Sequence, residues 1–337
     1  MTKCKTLGVF AIIMLGMSSL AYAGTIRHDV DPSAYLDLGA SADFAGVGRV
    51  DIGTASGNYI GSGTLIAQDW VLTAAHVVED ATSISFSVGG QILEGSNWTA
   101  HPKWTGDLLN GYDIGLIQLS STVDSAISPM SRYTGTDELG ATITSVGYGK
   151  TGTGLTGATT FDGQKRAGQN VLDAYYGKNP RKAEILLCDF DNPLTVADNA
   201  YGSASPLELE YLVAPGDSGG GAFIDIGGEL RLAGVTSFLA ALDGNLDADY
   251  GDLGGFTRVS KFNDWIDEVM GGGSDTPDNP GKGRDKPDKP GKPASVGTVF
   301  DSYLSQDQVY TMPTALPEPA TLSLLVIGGL GLLRRSK

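Results

Sequence analysis

Cysteine is almost missing: there are two in 337 residues. Cys4 lies in the first 23 residues, read below as a removable leader. That leaves Cys188 alone, so no intrachain disulfide is expected in a mature chain. Cys188 sits in the apolar run Ile185-Leu186-Leu187-Cys188, which predicts a small buried core residue. Histidine is nearly as scarce, with His28, His76 and His101 only, and no Cys/His spacing matches a metal site. No metal and no cofactor are expected. Charged residues make up 18% and apolar ones 41%, which excludes a chain too polar to fold. Gly is plentiful at 48, but no Gly-X-Y period runs through the chain, which excludes collagen. Positive charge is in short supply, with 23 Lys and Arg against 39 Asp and Glu. Residues 1–23 and 317–337 each carry +2, so removing that +4 from the total of −16 leaves −20 on 24–316. Such a surface repels polyphosphates, which excludes nucleic acid as a partner and favours a soluble monomer.

No apolar run reaches the ~20 residues that span a bilayer comfortably. Two shorter ones mark the ends. Lys3 and Lys5 precede the apolar stretch Leu7–Leu20, and Ala21-Tyr22-Ala23 supplies small residues for a cut, so 1–23 reads as a signal peptide. At the other end Pro317-Glu318-Pro319 is followed by Ala320–Leu333 and then Arg334-Arg335-Ser336-Lys337. This short apolar helix stopped by charges resembles the PEP-CTERM sorting segment of bacteria, over 317–337. The resemblance implies an exosortase-type processing enzyme acting at Pro317-Glu318-Pro319, membrane contact only through this tail, and a secreted or cell-surface location. From Gly271 to Ser295 no apolar side chain exceeds Ala or Pro, so 271–297 reads as a disordered Pro/Gly/charged linker, with 298–316 a spacer. One domain is expected over 24–270.

Within it, short β-branched stretches recur between turn residues: Val47–Ile52, Gly63–Ile66, Trp70–Thr73, Ser83–Val88, Ile114–Leu119, Thr142–Val146, Gly221–Ile226 and Leu230–Thr236. They predict an all-β antiparallel barrel or sandwich. A late helix, Lys261–Met270, is predicted with Ser260 as its cap and Phe262, Trp265, Ile266 and Val269 on one face.

Three segments carry the chemistry. His76 ends Trp70-Val71-Leu72-Thr73-Ala74-Ala75-His76, where small residues let another segment approach the ring. Asp113 opens the apolar strand Asp113-Ile114-Gly115-Leu116, and a carboxylate there needs donors and a cationic partner such as imidazolium. Ser218 lies in Gly216-Asp217-Ser218-Gly219-Gly220. Glycines there let a substrate backbone come close, and the N–H groups of Gly216 and Ser218 can point at one developing oxyanion. Taken alone, a structural His and a solvated turn Asp would explain the first two segments; the Ser218 motif is the specific one.

The order His, Asp, Ser, with Gly255-Phe256-Thr257-Arg258-Val259 before the late helix, resembles the trypsin-like serine endopeptidases over about residues 40–270. The resemblance implies two six-stranded antiparallel barrels packed with the active site between them and a C-terminal helix. It implies a catalytic triad of His76, Asp113 and Ser218, an oxyanion hole from Gly216 and Ser218 supported by Asp217, and peptide or protein substrates. Ser237 would lie beside Asp113, and the backbone of Ser237, Phe238 and Leu239 would pair with substrate. Leu212 would form the base of the specificity pocket, with Gly254 in its wall. Leu212 argues against selection of Arg or Lys, although the acidic stretch Asp243–Asp252 could supply a carboxylate or a Ca²⁺ loop. The partner of Asp217 is open: an Ile26 ammonium and the Arg27 side chain are the candidates. A non-catalytic binding or matrix protein on the same fold, and an esterase, are the competing readings.

Overall fold

The computed structural model describes residues 24–271, apart from 178 and 180. The expected signal peptide, spacer and sorting tail, and the linker beyond its first residue, lie outside the described residues.

Gly24–Ile26 forms β1, and Pro32–Gly39 forms helix α1, capped by Asp31, which accepts the Ser33 N–H. The next six strands are β2 (Val47–Thr54), β3 (Asn58–Ala67), β4 (Trp70–Thr73), β5 (Ala81–Val88), β6 (Gln91–Ala100) and β7 (Gly115–Leu119). The one-turn helix α2 (Ala75–Val78) follows β4 directly. The strands close into a barrel in the order β2-β3-β4-β7-β6-β5. Period-two patterning explains the closure. In β5 Ile84, Phe86 and Val88 are buried while Ser83, Ser85 and Ser87 between them are not. Val50 and Ile52 of β2, Leu65 of β3, Val71 and Leu72 of β4 and Leu116 and Ile117 of β7 meet them in one apolar core. Burying each such side chain contributes about 1.5–3 kcal/mol, which fixes the register.

The second half contains β8 (Thr142–Gly147), β9 (Thr151–Thr153), β10 (Gly157–Thr160), β11 (Arg166–Val171), β12 (Ala174–Tyr176), β13 (Ile185–Asp189), β14 (Tyr211–Leu212), β15 (Gly221–Asp225), β16 (Leu230–Ala240) and β17 (Leu253–Arg258). Seven of these form one sheet, ordered β11-β8-β15-β16-β17-β13-β12. Its two outer members are neighbours in the chain, separated only by Leu172 and Asp173. Leu172 donates to the Ala141 carbonyl before β8, and Asp173 to Leu187 of β13. The sheet therefore curls until its edges become two halves of one bent run. A separate sheet, β10-β9-β1-β14, lies outside the expected pattern. There β1 runs parallel to β9 and antiparallel to β14.

The chain ends its described part in helix α3 (Asn263–Val269), preceded by a 3₁₀ turn at Val259–Lys261. Ser260 does not cap α3, contrary to expectation. Its hydroxyl donates to Glu138 (2.7 Å), a buried carboxylate that also receives the Arg258 guanidinium. The buried ion pair needs that extra donor more than the helix needs a cap. Phe262 and Ile266 are buried as expected, and Trp265 and Val269 pack beside them. The helix lies on the first-barrel core, tying the end of the chain to its beginning. Among the described residues no helix is long and apolar enough to cross a membrane.

Candidate active site

The register of two strands brings the first two functional residues together. Thr73 of β4 stands opposite Gly115 of β7. Three residues beyond Thr73 is His76, in α2; two residues before Gly115 is Asp113. Asp113 is fully buried, and its carboxylate is met from three directions. Oδ1 accepts the His76 backbone N–H at 3.0 Å. Oδ2 accepts from His76 Nδ1 at 2.8 Å and from the Ser237 hydroxyl at 2.5 Å. Thr257 donates to the Asp113 carbonyl at 2.6 Å. The residue before, Tyr112, has φ 63, a conformation that costs a bulky residue energy. Its ring is held in compensation, stacked on His101 at 5.1 Å and edge-on to Phe262.

This arrangement fixes one tautomer. With a carboxylate on Nδ1, the ring proton sits there, and Nε2 is left as the proton acceptor. Burial pulls the His76 pKa down, but the Asp113 charge and hydrogen bond push it up further. The net result lies above the ordinary 6.5. His101, by contrast, is pushed down to about 4 by burial, helped by Lys103, and is neutral among its aromatic neighbours.

Ser218 arrives from the other half of the molecule. Its carbonyl accepts the Ser62 N–H of β3 at 2.8 Å, and Ser62 Oγ donates to the Gly216 carbonyl at 3.1 Å. Gly219 has φ 83, and a Cβ there would stand 2.0 Å from Thr73 Oγ1 and 3.0 Å from Ala74 N. Only glycine lets the turn press so closely against the residues leading into His76. Gly219 N–H also donates to Thr236, the neighbour of Ser237. Ser218 is thus docked beside the His76 segment by backbone contacts; its hydroxyl makes no hydrogen bond among the described residues. The N–H groups of Asp217 and Gly220 are used within this turn, and that of Gly219 on Thr236. Those of Gly216 and Ser218 have no partner among the described residues, so two donors are left for an incoming oxygen.

Asp217 is buried, with Oδ1 accepting Gly149 N–H and Oδ2 accepting Ala214 N–H, both at 2.8 Å. The Tyr211 hydroxyl donates to Oδ2 at 3.1 Å. Burial pushes its pKa up to about 6, against the pull of those donors and of the Arg166 charge. The Arg27 side chain is not its partner. Arg27 pairs with Asp29 (2.7 Å) and the Leu207 carbonyl. Ile26 is the last residue of β1, opposite Tyr211.

The expected pocket residues assemble, but as core. Leu212 is fully buried, Leu239 and Phe238 are each 4% exposed, and Leu239 faces Gly254 across β16 and β17. Leu212 and Leu239 share one apolar cluster with Cys188 and Phe256. Cys188 is the buried core residue expected of it, and burial holds its thiol well above the usual range.

Asp252 bonds within its own loop, to Ala248 N–H at 2.9 Å. Asp247, Asp249 and Asp252 present oxygens within 4.8 Å of one another, a set able to hold a hard divalent cation. Beside them lies a group the sequence gave no sign of, since its members are scattered along the chain. Burial, with the Asp189 charge acting on all three and that of Asp191 on Asp173 and Glu210, pushes Asp173 up to about 7, Asp191 to about 6 and Glu210 to about 8.

With this geometry in place, comparison with known proteins is informative. The profile of the Trypsin family matches residues 47–266. The chain is 27% identical over 232 residues to chymotrypsin-like elastase family member 1 of Canis lupus familiaris, covering 62% of this chain and 80% of that protein. It is 28% identical over 227 residues to snake venom serine protease 3 of Protobothrops jerdonii, covering 64% and 79%. A solved HL collagenase structure superposes with a TM-score of 0.50 at 22% identity, over 68% of this chain and 94% of that one, a likeness of fold. A match spanning the whole closed barrel and all three chemical segments leaves one assignment: this chain belongs to the trypsin family of serine proteases.

Proposed function

We propose that the chain is an exported serine endopeptidase that cleaves peptide bonds through Ser218, His76 and Asp113. The observation that carries this reading is the buried Asp113 carboxylate, which engages both the backbone and the ring of His76. Ser218 Oγ attacks the carbonyl carbon while His76 Nε2 takes its proton. The carbonyl oxygen becomes an oxyanion between the Gly216 and Ser218 amides. As the C–N bond breaks, His76 gives the proton to the leaving amine. Water then enters and attacks the acyl carbon while His76 takes its proton, and as the acyl–Oγ bond breaks His76 returns that proton to Ser218, releasing the acid. The backbone of Ser237–Leu239 would pair with substrate as an added strand. The curled second sheet is read as the second barrel, and the cleft between the halves as the place of reaction. Export by 1–23, and exosortase-type processing at Pro317-Glu318-Pro319, belong to the same proposal.

Leu212 and Leu239, both buried in one apolar cluster, would narrow the pocket beneath the reactive serine, so the substrate class inferred is one with small side chains on the acyl side of the cut. A digest of a mixed peptide library, with cut sites mapped by mass spectrometry, tests this. Cuts after Ala, Gly, Ser or Val are expected; cuts confined to Arg and Lys would refute the pocket, and no cuts would refute the peptidase. Leu239→Gly is expected to raise kcat/KM for aromatic residues by roughly 10- to 200-fold relative to alanine, the scale of a few methylenes in a pocket.

The pH dependence follows from His76. Its folded pKa is raised, and the reaction needs the neutral ring. Activity should therefore fall as pH drops through a value above 6.5. A kcat/KM profile measured from pH 4 to 9 checks this, and a flat profile on folded protein would contradict it.

A further inference from the structure

Asp217 stands between the two amides with free N–H groups, so whatever orients its side chain orients them. Among the described residues, the three donors on its carboxylate are all neutral: Gly149 N–H, Ala214 N–H and the Tyr211 hydroxyl. Two belong to the backbone around the turn; Tyr211 alone reaches in from a side chain. It is fully enclosed in the core and is itself clamped. Gly24, at φ 58, lies so close that a Cβ there would stand 2.0 Å from Tyr211 Cζ. Strand β1 pairs with β14, placing Ile26 opposite Tyr211, and the Thr151 hydroxyl ties down the Gly24 carbonyl at 2.8 Å. The phenol thus cannot swing away while β1 is in its sheet.

We propose that Tyr211 is a positioning residue for the oxyanion turn: a neutral phenol, locked by strand Gly24–Ile26, holds Asp217 and through it the Gly216 and Ser218 amides. The turn is then set while the chain runs unbroken through β1, and no freshly cut amino terminus at Gly24 or Ile26 is needed. This rests on the peptidase reading above. Tyr211 touches no reacting atom, so it acts on the oxyanion and not on substrate binding.

The test compares full-length wild type with Tyr211→Phe, which keeps the ring and removes only the donor. Steady-state kinetics on a peptide and the affinity for a peptidyl boronate, whose tetrahedral adduct needs the same two amides, are both read. Tyr211→Phe is expected to lose about ten-fold in kcat and in boronate affinity with KM within about two-fold, the scale of one hydrogen bond to a charged group. Tyr35→Phe removes another buried phenol of the same cluster, one bonded to the Glu210 carbonyl, and is expected to leave boronate affinity unchanged. Equal boronate affinity in Tyr211→Phe and wild type, or equal losses in both variants, would overturn the proposal. A second arm holds even if Tyr211→Phe does not fold. Full chain with residues 1–23 still attached, verified by mass, is compared with chain trimmed to Gly24. Equal kcat/KM supports the proposal; activity that appears only after trimming would overturn it. A wild type that cleaves nothing in either form would instead sink the peptidase reading, and this inference with it.

Discussion

Ser218→Ala should lower kcat/KM on a peptide substrate by about 10⁵-fold or more, with the fold intact. The expectation follows from how little else can do the work. Backbone contacts seat Ser218 against the β3 and β4 segments through the Ser62 amide and Gly219, and these do not involve its hydroxyl. Removing Oγ deletes the nucleophile and leaves the turn in place. The residual rate would come from the two amides acting on a bound substrate. Adding His76→Ala to Ser218→Ala should cost little more, because the base has no purpose without the hydroxyl it serves. Kinetics of the single and double variants, with thermal melts to confirm folding, check both statements.

Asp113→Asn should cost about 10⁴-fold in kcat, nearly as much, by a different route. The backbone N–H of His76 needs an acceptor at the Oδ1 position, so the asparagine oxygen will settle there. Its NH₂ then faces His76 Nδ1 and the Ser237 hydroxyl, where Oδ2 now accepts from both. A donor opposite Nδ1 forces the ring proton to Nε2. The imidazole is then the wrong tautomer to take a proton from Ser218. Shape is conserved, so a crystal structure of the variant should superpose on the wild type while the rate collapses. A variant with near-normal kcat would show that Asp113 is only a structural carboxylate.

Part of the first barrel was readable: Ser83-Ile84-Ser85-Phe86-Ser87-Val88 alternates with its apolar members buried, and the short apolar runs of β4 and β7 are buried almost throughout, whereas β6, with Ile92 exposed, shows neither pattern. The three chemical segments were readable from residue type and order, and two of them meet because β4 and β7 are paired. Strands of two or three residues were not readable. Gly24–Ile26, Thr151–Thr153 and Tyr211–Leu212 are too short to show a period, and only long-range pairing makes them strands. Helix α1 carried its start signal, Asp31-Pro32, but its eight residues bury only Tyr35 and Gly39, too few for a helical stripe. The Asp217 partner was sought among cations because a buried carboxylate wants one. Two amides and a phenol satisfy it instead, and no local pattern announces a tyrosine six residues upstream in that role. The Ser260 cap failed for a similar reason: the competing acceptor, Glu138, is 122 residues away.

The central statement is that a hydroxyl, an imidazole and a carboxylate from distant parts of the chain act as one unit at Ser218. Reaction of the folded protein with a fluorophosphonate probe, followed by mass-spectrometric mapping, measures this most directly. The account predicts a single adduct on Ser218, formed much more slowly in His76→Ala and absent in Ser218→Ala. No adduct on folded wild type, or an adduct on another residue that survives Ser218→Ala, would contradict it.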